Sequence, residues 1–248
     1  MSDESRAHRT AAVIPAAGRG VRLGPGAPKA LRALGGTPML IHAVRAMARS
    51  RAVSLVVVVA PSDGAPEVRR LLDEHALPER TEILVVPGGD TRQASVRAGL
   101  AALPADITSV LIHDAARPLV PVDTVDSVVE AVRDGSPAVV PALPLADTVK
   151  EVEPAAPGEP EPVVATPERA RLRAVQTPQG FDRATLVRAH ETIAVNGEGA
   201  TDDAGMVEKL GVTVMVVPGH EEAFKVTRPL DLVLAEAVLA RRRATDAY

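Results

Sequence analysis

The chain of 248 residues contains no cysteine and no tryptophan, which excludes disulfides, thiolate metal sites and a cysteine nucleophile together. Its aromatic side chains are Phe181, Phe224 and Tyr248, too few to build a platform on which nucleic-acid bases could stack. A net charge of −4 gives no general attraction to a polyanion. No apolar run reaches the length needed to cross a bilayer, and the first ten residues, MSDESRAHRT, mix charges where a secretory signal would be apolar. The expectation is a soluble, cytoplasmic protein with neither a membrane nor polymeric nucleic acid as partner.

What is present suffices for a core. With 46% hydrophobic and 24% charged residues, the chain can bury one large apolar interior without covalent staples. Apolar, β-branched runs at 11–15, 53–60, 81–87, 109–113 and 138–142 read as strands. Their apolar character is continuous rather than alternating, which is the pattern of a parallel sheet covered on both faces. Helical patterns fall between them, at 66–75, 91–103, 122–134, 182–196 and 202–210, and a strand at 212–218 precedes a last helix at 229–243. A further helix begins with Thr37 as N-cap and Pro38 in its first position, and carries an apolar stripe through Met39, Ile41, Val44 and Met47. This alternation predicts an α/β fold with a doubly wound, mostly parallel sheet. Two segments, 147–152 and 171–176, look extended. Between them the run EPAAPGEPEP at 153–162 is too rich in proline and charge to enter a core, so it is either a surface loop or the tip of two strands projecting as an arm.

After the first strand the chain reads PAAGRGVRLGPGAPKAL, residues 15–31, gathering Gly18, Gly20, Gly24 and Gly26 with Arg19, Arg22 and Lys29. Open α/β sheets bind ligands at the carboxyl ends of their strands. Glycines there let backbone N–H groups approach a ligand, and Arg and Lys supply donors and charge for phosphate oxygens. The expected ligand is a polyphosphate. Lys29 lies between Pro28 and Ala30, so this is not a Walker loop, and Leu23 with the nearby prolines breaks the dinucleotide fingerprint. A second glycine turn, GGDTRQASV at 88–96, opens a helix that Asp90 or Thr91 can cap. A third motif, HDAARPLV at 113–120, puts Asp114 and Arg117 at a strand end, where an Asp can hold Mg²⁺ directly or order its waters; His113 reads as a core histidine.

Taken whole, G-x-G-x-R-L followed by Pro-Lys resembles the signature loop of sugar-phosphate nucleotidyltransferases, whose fold is Rossmann-like and GT-A-like. The ordered set GGDTRQASV, HDAARP, DTVK, AVQTPQGF, TDDAG and FKVTRPLDLVLAE is similar to the erythritol-phosphate cytidylyltransferase family, from about residue 11 to residue 240. The resemblance implies that Ala16, Ala17 and Gly18 touch CTP, that Arg22 and Lys29 stabilise charge developing on its phosphates, and that Gly88, Gly89, Asp90 and Ser95 read cytosine. It implies that Asp114 and Arg117 lie at the acceptor site with Ala115 near the ribose. Thr148, Arg169, Thr177, Thr201 and Lys225 match residues that hold the acceptor phosphate, Arg169 and Lys225 orienting it. Mg²⁺ or another divalent cation is the implied cofactor, and CTP with a small sugar-alcohol phosphate are the implied substrates. The arm, about 146–174, is implied to join a homodimer and to complete the partner's acceptor site. The expected organisation is a disordered N-terminus at 1–9, one nucleotidyltransferase domain at 10–243 and a tail at 244–248. The sequence departs from the family in its long acidic arm tip and in Ala223-Phe224 before Lys225. The rival readings are a ribitol 5-phosphate cytidylyltransferase and a non-catalytic nucleotide-binding module.

Overall fold

The continuous apolar runs become the middle of one sheet. The computed structural model describes residues 9–18, 28–193 and 201–245. Strand β1 (Arg9–Pro15) lies between β4 (Val53–Ala60) and β6 (Ile107–Ile112), parallel to both, and β5 (Glu82–Pro87) extends the parallel set beyond β4. In β1, Ala12 and Ile14 face one apolar cluster and Ala11 and Val13 face the other. This is why the sequence shows no polar alternation there: both faces of the strand are covered. The first face is packed by α1 (Met39–Arg49), α2 (Ala65–Asp73) and α4 (Val122–Arg133). The second is packed by α3 (Arg92–Ala101), α5 (Arg183–Thr192) and α6 (Asp203–Lys209). A smaller cluster joins Leu34, Met39, Leu119 and Val226 to Ala235 of α7 (Pro229–Thr245).

Several expectations are corrected. Thr37 is not the N-cap of α1 and Pro38 is not its first helical residue: Pro38 stands at the N-cap position and the helix starts at Met39. Gly35 and Gly36, with φ of 56° and 81°, form a tight turn between the short strands β2 (Ala33–Leu34) and β3 (Thr37–Pro38). Only glycine adopts both angles readily, and the hairpin takes Thr37 and Pro38 into extended backbone. The strand expected at 212–218 is confined to β12 (Met215–Pro218). The arm pairs β8 (Glu151–Val152) with β9 (Val163–Ala165), not with 171–176. That later segment contributes β10 (Arg173–Val175), antiparallel to β7 (Ala138–Pro144) within the main sheet. A strand absent from the sequence reading, β11 (Gln179–Asp182), inserts antiparallel between β6 and β7; its four residues, Gln-Gly-Phe-Asp, carry too little apolar pattern to be read. Strand β1 starts at Arg9 and α7 runs to Thr245; the segments expected as the N-terminus and most of the tail, residues 1–8 and 246–248, lie outside the described residues.

This topology fixes where a site can form. The parallel strands β1, β4, β5 and β6 end at one edge of the sheet. The antiparallel β11 starts there, and β12, parallel to β7, ends there. Six segments distant in sequence therefore meet at one rim. Close packing beneath it depends on Gly180 of β11, where a Cβ would lie 2.5 Å from Val128 Cγ1 and 3.0 Å from Val132 Cγ2 on α4. Gly180→Ala should destabilise the fold by ~1–3 kcal/mol through overpacking, measured as a lower urea midpoint with an unchanged slope.

Candidate active site

At the rim, the turn after β1 places Ala16, buried, and Ala17 and Gly18, increasingly exposed. Ala16 N–H donates to Val59 O at 2.8 Å and Gly88 N–H donates to Ala60 O at 2.7 Å, so the sheet ladder continues into both glycine turns and fixes their spacing. The turn at 88–91 ends in Thr91, the N-cap of α3, whose hydroxyl oxygen accepts from Ala94 N–H at 3.0 Å. Asp90 is left exposed at the cleft. Ser95 is buried; its hydroxyl accepts from Gly89 N–H and donates to Gly89 O, at 3.3 and 3.2 Å. The side chain thus braces the turn, and a Cβ on Gly88 would come within 2.8 Å of its Oγ.

Three adjoining cavities share Gly18. One of ≈ 540 Å³ runs over Ala16, Ala17, Pro28, Ala30, Gly89 and Asp90; the volume is that of a small-molecule site. A second is walled by Ala17, Gly89, Asp90, Arg92, Ser95 and Asp114. A third is walled by Ala16, Lys29, Asp114, Ala115, Ala116 and Lys225.

Asp114 connects the last two. Its Oδ2 accepts from Lys225 Nζ at 2.7 Å, and its Oδ1 lies 3.8 Å from Arg92. Burial alone would push its carboxyl up, but the charges of Lys225 and Arg92, with the Lys225 hydrogen bond, outweigh this and hold it below the ordinary carboxylate range. Asp114 is thus a nearly buried anion kept ionised by two cations. Arg92 itself pairs with the fully buried Asp203 at 2.7 Å, and Asp203 also meets His190 Nε2 at 2.9 Å. Burial opposes the charge on Arg92, yet Asp203 and then Asp114 raise its pKa.

The loop carrying Asp114 is locked from beneath. His113 is fully buried, and burial lowers its pKa to about 4. Its neutral imidazole donates from Nε2 to Arg117 O at 3.2 Å and accepts at Nδ1 from the Thr177 hydroxyl at 3.0 Å; Thr177 Oγ1 in turn accepts from Asp114 N–H at 3.1 Å. The Arg117 guanidinium donates to Ala223 O at 2.7 Å and to Val175 O at 3.3 Å, and Val226 N–H donates to Ala116 O at 2.8 Å. These bonds carry the 223–226 segment, and Lys225 with it, to the rim. Thr177 and Arg117, expected at the acceptor, thus spend polar atoms on the scaffold. Thr148, Arg169 and Thr201 are exposed and wall none of the three cavities, and Arg169 donates to Ala146 O at the arm's base. Arg22 lies outside the described residues.

Sequence reasoning missed Arg92, Asp203 and His190. Both GGDTRQASV and TDDAG were singled out, but nothing marked the arginine after the cap or the second aspartate as a pair. Burial of Asp203 beside a cation was the missing signal.

A doubly wound sheet that presents a glycine turn, a lysine and a buried carboxylate flanked by cations at its strand ends defines an enzyme of the nucleotidyltransferase class. The match to known proteins is specific: the family model of 2-C-methyl-D-erythritol 4-phosphate cytidylyltransferase, IspD, covers residues 10–241, and the chain belongs to that family. A 2-C-methyl-D-erythritol 4-phosphate cytidylyltransferase of Streptomyces avermitilis is 80% identical over all of both chains. One from Streptomyces coelicolor is 81% identical over 97% of this chain and 88% of that protein. Among solved structures, the enzyme of that name from Thermus thermophilus superposes with a TM-score of 0.71 at 37% identity, over 93% of this chain and 98% of the other. The 4-diphosphocytidyl-2C-methyl-D-erythritol synthase of Anaerococcus prevotii superposes with a TM-score of 0.79 at 27% identity, over 94% and 98%.

The buried His113 makes a checkable statement about pH. Its folded pKa of about 4 lies below the ordinary 6.5, so between these values the unfolded chain binds a proton that the native state refuses. Stability from this group is complete above pH 6.5 and is lost as pH falls toward 4, by up to ~3 kcal/mol. His113→Gln should flatten that part of the stability curve in urea melts at stepped pH; an unchanged slope would contradict a neutral buried imidazole.

Proposed function

We propose that this chain joins the CMP moiety of CTP to 2-C-methyl-D-erythritol 4-phosphate, giving 4-diphosphocytidyl-2-C-methyl-D-erythritol and pyrophosphate, in the cytoplasm and in the non-mevalonate route to isoprenoids. The observation that carries the reading is the third cavity, where Lys29, Asp114 and Lys225 line one space beside the glycine turn. In this reading the cytosine ring enters the slot formed by Gly88, Gly89, Asp90 and Ser95, which Ser95 keeps narrow, and Ala115 contacts the ribose. Ala16, Ala17 and Gly18 follow the triphosphate. Lys29, with Arg22, takes up charge as the α-phosphorus accepts the incoming oxygen, and Asp114, Arg117 and Thr177 shape the acceptor side.

The reaction is an in-line displacement between two anions: an oxygen of the acceptor phosphate bonds to the α-phosphorus, and the bond to pyrophosphate breaks. Repulsion and alignment are the obstacles, and fixed cations address both without a covalent intermediate. Lys225, held at 2.7 Å by Asp114, is pre-aimed for the acceptor phosphate. Among the described residues no three His, Asp or Glu side chains form a metal cage. Asp114 is a carboxylate that walls two of the cavities, and it would hold Mg²⁺, an ion that binds through one or two carboxylates and substrate phosphates, directly or through water. When bound, it would neutralise phosphate charge.

Thr148 and Arg169 lie at the base of the arm, away from their own chain's cavities. This placement favours a homodimer in which they serve the acceptor of the partner. Supporting it, Val152, Val163 and Val164 on the arm, Val175 on β10 and Met215 and Val216 on β12 are apolar and exposed, surface that association would cover.

The test is pyrophosphate release with product mass from CTP, Mg²⁺ and either 2-C-methyl-D-erythritol 4-phosphate or ribitol 5-phosphate. Turnover with the erythritol phosphate is expected; turnover only with the ribitol phosphate would change the substrate, and none with either would leave a binding module. Lys29→Ala should reduce kcat by ~10²-fold or more. Arg169→Ala should chiefly raise KM for the acceptor. Mixing the two variant proteins should restore activity at about a quarter of the sites, because one site of each mixed dimer then has both residues; no gain on mixing would place Arg169 in its own chain's site.

A further inference from the structure

The two segments that carry Arg117 and Lys225 to the active site also wall a further cavity, apart from the three at the rim. It has a volume of ≈ 580 Å³ and lies where residues 118–122 and the side chains of His220 and Glu222 meet α1 and α7. None of the roles proposed above uses it. Its wall is strongly cationic: Arg45 and Arg49 come from α1, and Arg242 and Arg243 from α7. Its one acid, Glu222, is already held by both Arg241 and Arg242, with Arg242 Nε at 2.8 Å from Oε2. Among the described residues, Arg45, Arg49 and Arg243 form no ion pair.

This arrangement is costly without a ligand. Arg45 and Arg49 are one helical turn apart, a spacing at which like charges repel. Arg49 and Arg243 are explained in part by their places in the last turns of α1 and α7, where a cation favours the helix dipole; Arg45, in the middle of α1, is not. Arg45 and Arg243 each spend one donor on a carbonyl, Arg45 Nε on Ala76 O at 3.1 Å and Arg243 on Gly35 O at 3.2 Å. A guanidinium has five donors in a rigid fork, so these bonds orient the groups without exhausting them. All three arginines are close enough to act on one imidazole: burial first, then Arg45, Arg243 and Arg49, lower the pKa of His42 against the raising effect of its hydrogen bond to Leu34 O. The remaining wall joins His42 and His220 to apolar residues that include Ala46, Leu119 and Leu239.

We propose that this cavity is a second ligand site, which binds a small phosphoanion of the diphosphate class. Three uncompensated guanidiniums match the charge and geometry of a diphosphate better than those of a single carboxylate, and the apolar wall can take a short organic body. An occupant would touch residues directly after Arg117 and just before Lys225, so the site adjoins the catalytic machinery without sharing a side chain with it.

The test is isothermal titration calorimetry of the full chain with inorganic pyrophosphate and with butyl diphosphate, comparing wild type with Arg45→Gln/Arg49→Gln. Glutamine retains helix propensity, and a thermal melt checks folding; Arg243→Gln on α7 is a second, independent probe. Both variants should keep wild-type cytidylyl transfer and lose one diphosphate-binding event, or weaken it at least about tenfold. Because turnover persists, the lost event cannot be the catalytic one. Equal binding of the two probes would identify the free anion as ligand, and tighter binding of butyl diphosphate an organic diphosphate resting on Leu119 and Leu239. Titrations identical in wild type and both variants would overturn the site.

Discussion

The ionised carboxylate of Asp114 is the constraint around which the rim of this protein is arranged. It is mostly withdrawn from water, and a buried charge is tolerated only when paired. Its partners come from opposite directions, Lys225 from the stretch after β12 and Arg92 from the start of α3. The second of these passes the demand inward to Asp203 and His190. Removing Arg92 would leave the fully buried carboxylate of Asp203 without its cation. The network is therefore tied to the packing of α3, α5 and α6 as firmly as to the chemistry above it.

Neutral groups do the complementary work. His113, uncharged because it is buried, joins the Arg117 carbonyl to Thr177, and Thr177 holds the backbone of Asp114. The loop thus has its charge on the solvent side and neutral hydrogen bonds underneath. That separation lets a site for two polyanionic reactants keep its cations fixed before either arrives, the preorganisation that electrostatic catalysis requires.

Much of this was legible in the sequence. The strands near 53–60 and 138–142 and the glycine turns at 16–18 and 88–91 appear where the apolar runs and turn residues put them, because both faces of the central strands are buried and the pattern leaves no alternative period. The core role of His113 was also readable. What the sequence hid depends on partners far along the chain. β11 is a strand because β6 and β7 flank it, not because Gln-Gly-Phe-Asp favours extension. Pro38 is drawn from α1 by a two-glycine turn preceding it. Thr177 and Arg117 are committed to scaffold bonds that their motifs do not reveal, and Arg92 with Asp203 becomes recognisable only once α3 and α6 are brought together.

Asp114 and Lys225, paired at 2.7 Å, are expected to act in catalysis as one unit, each useful only with the other in place. A double-mutant cycle on kcat/KM for cytidylyl transfer, with Asp114→Asn, Lys225→Gln and the combination, measures this directly. The double variant should be scarcely worse than the poorer single variant, a coupling of about 1.5 kcal/mol or more. Losses that simply add would contradict it, and would mean that the two residues contribute independently.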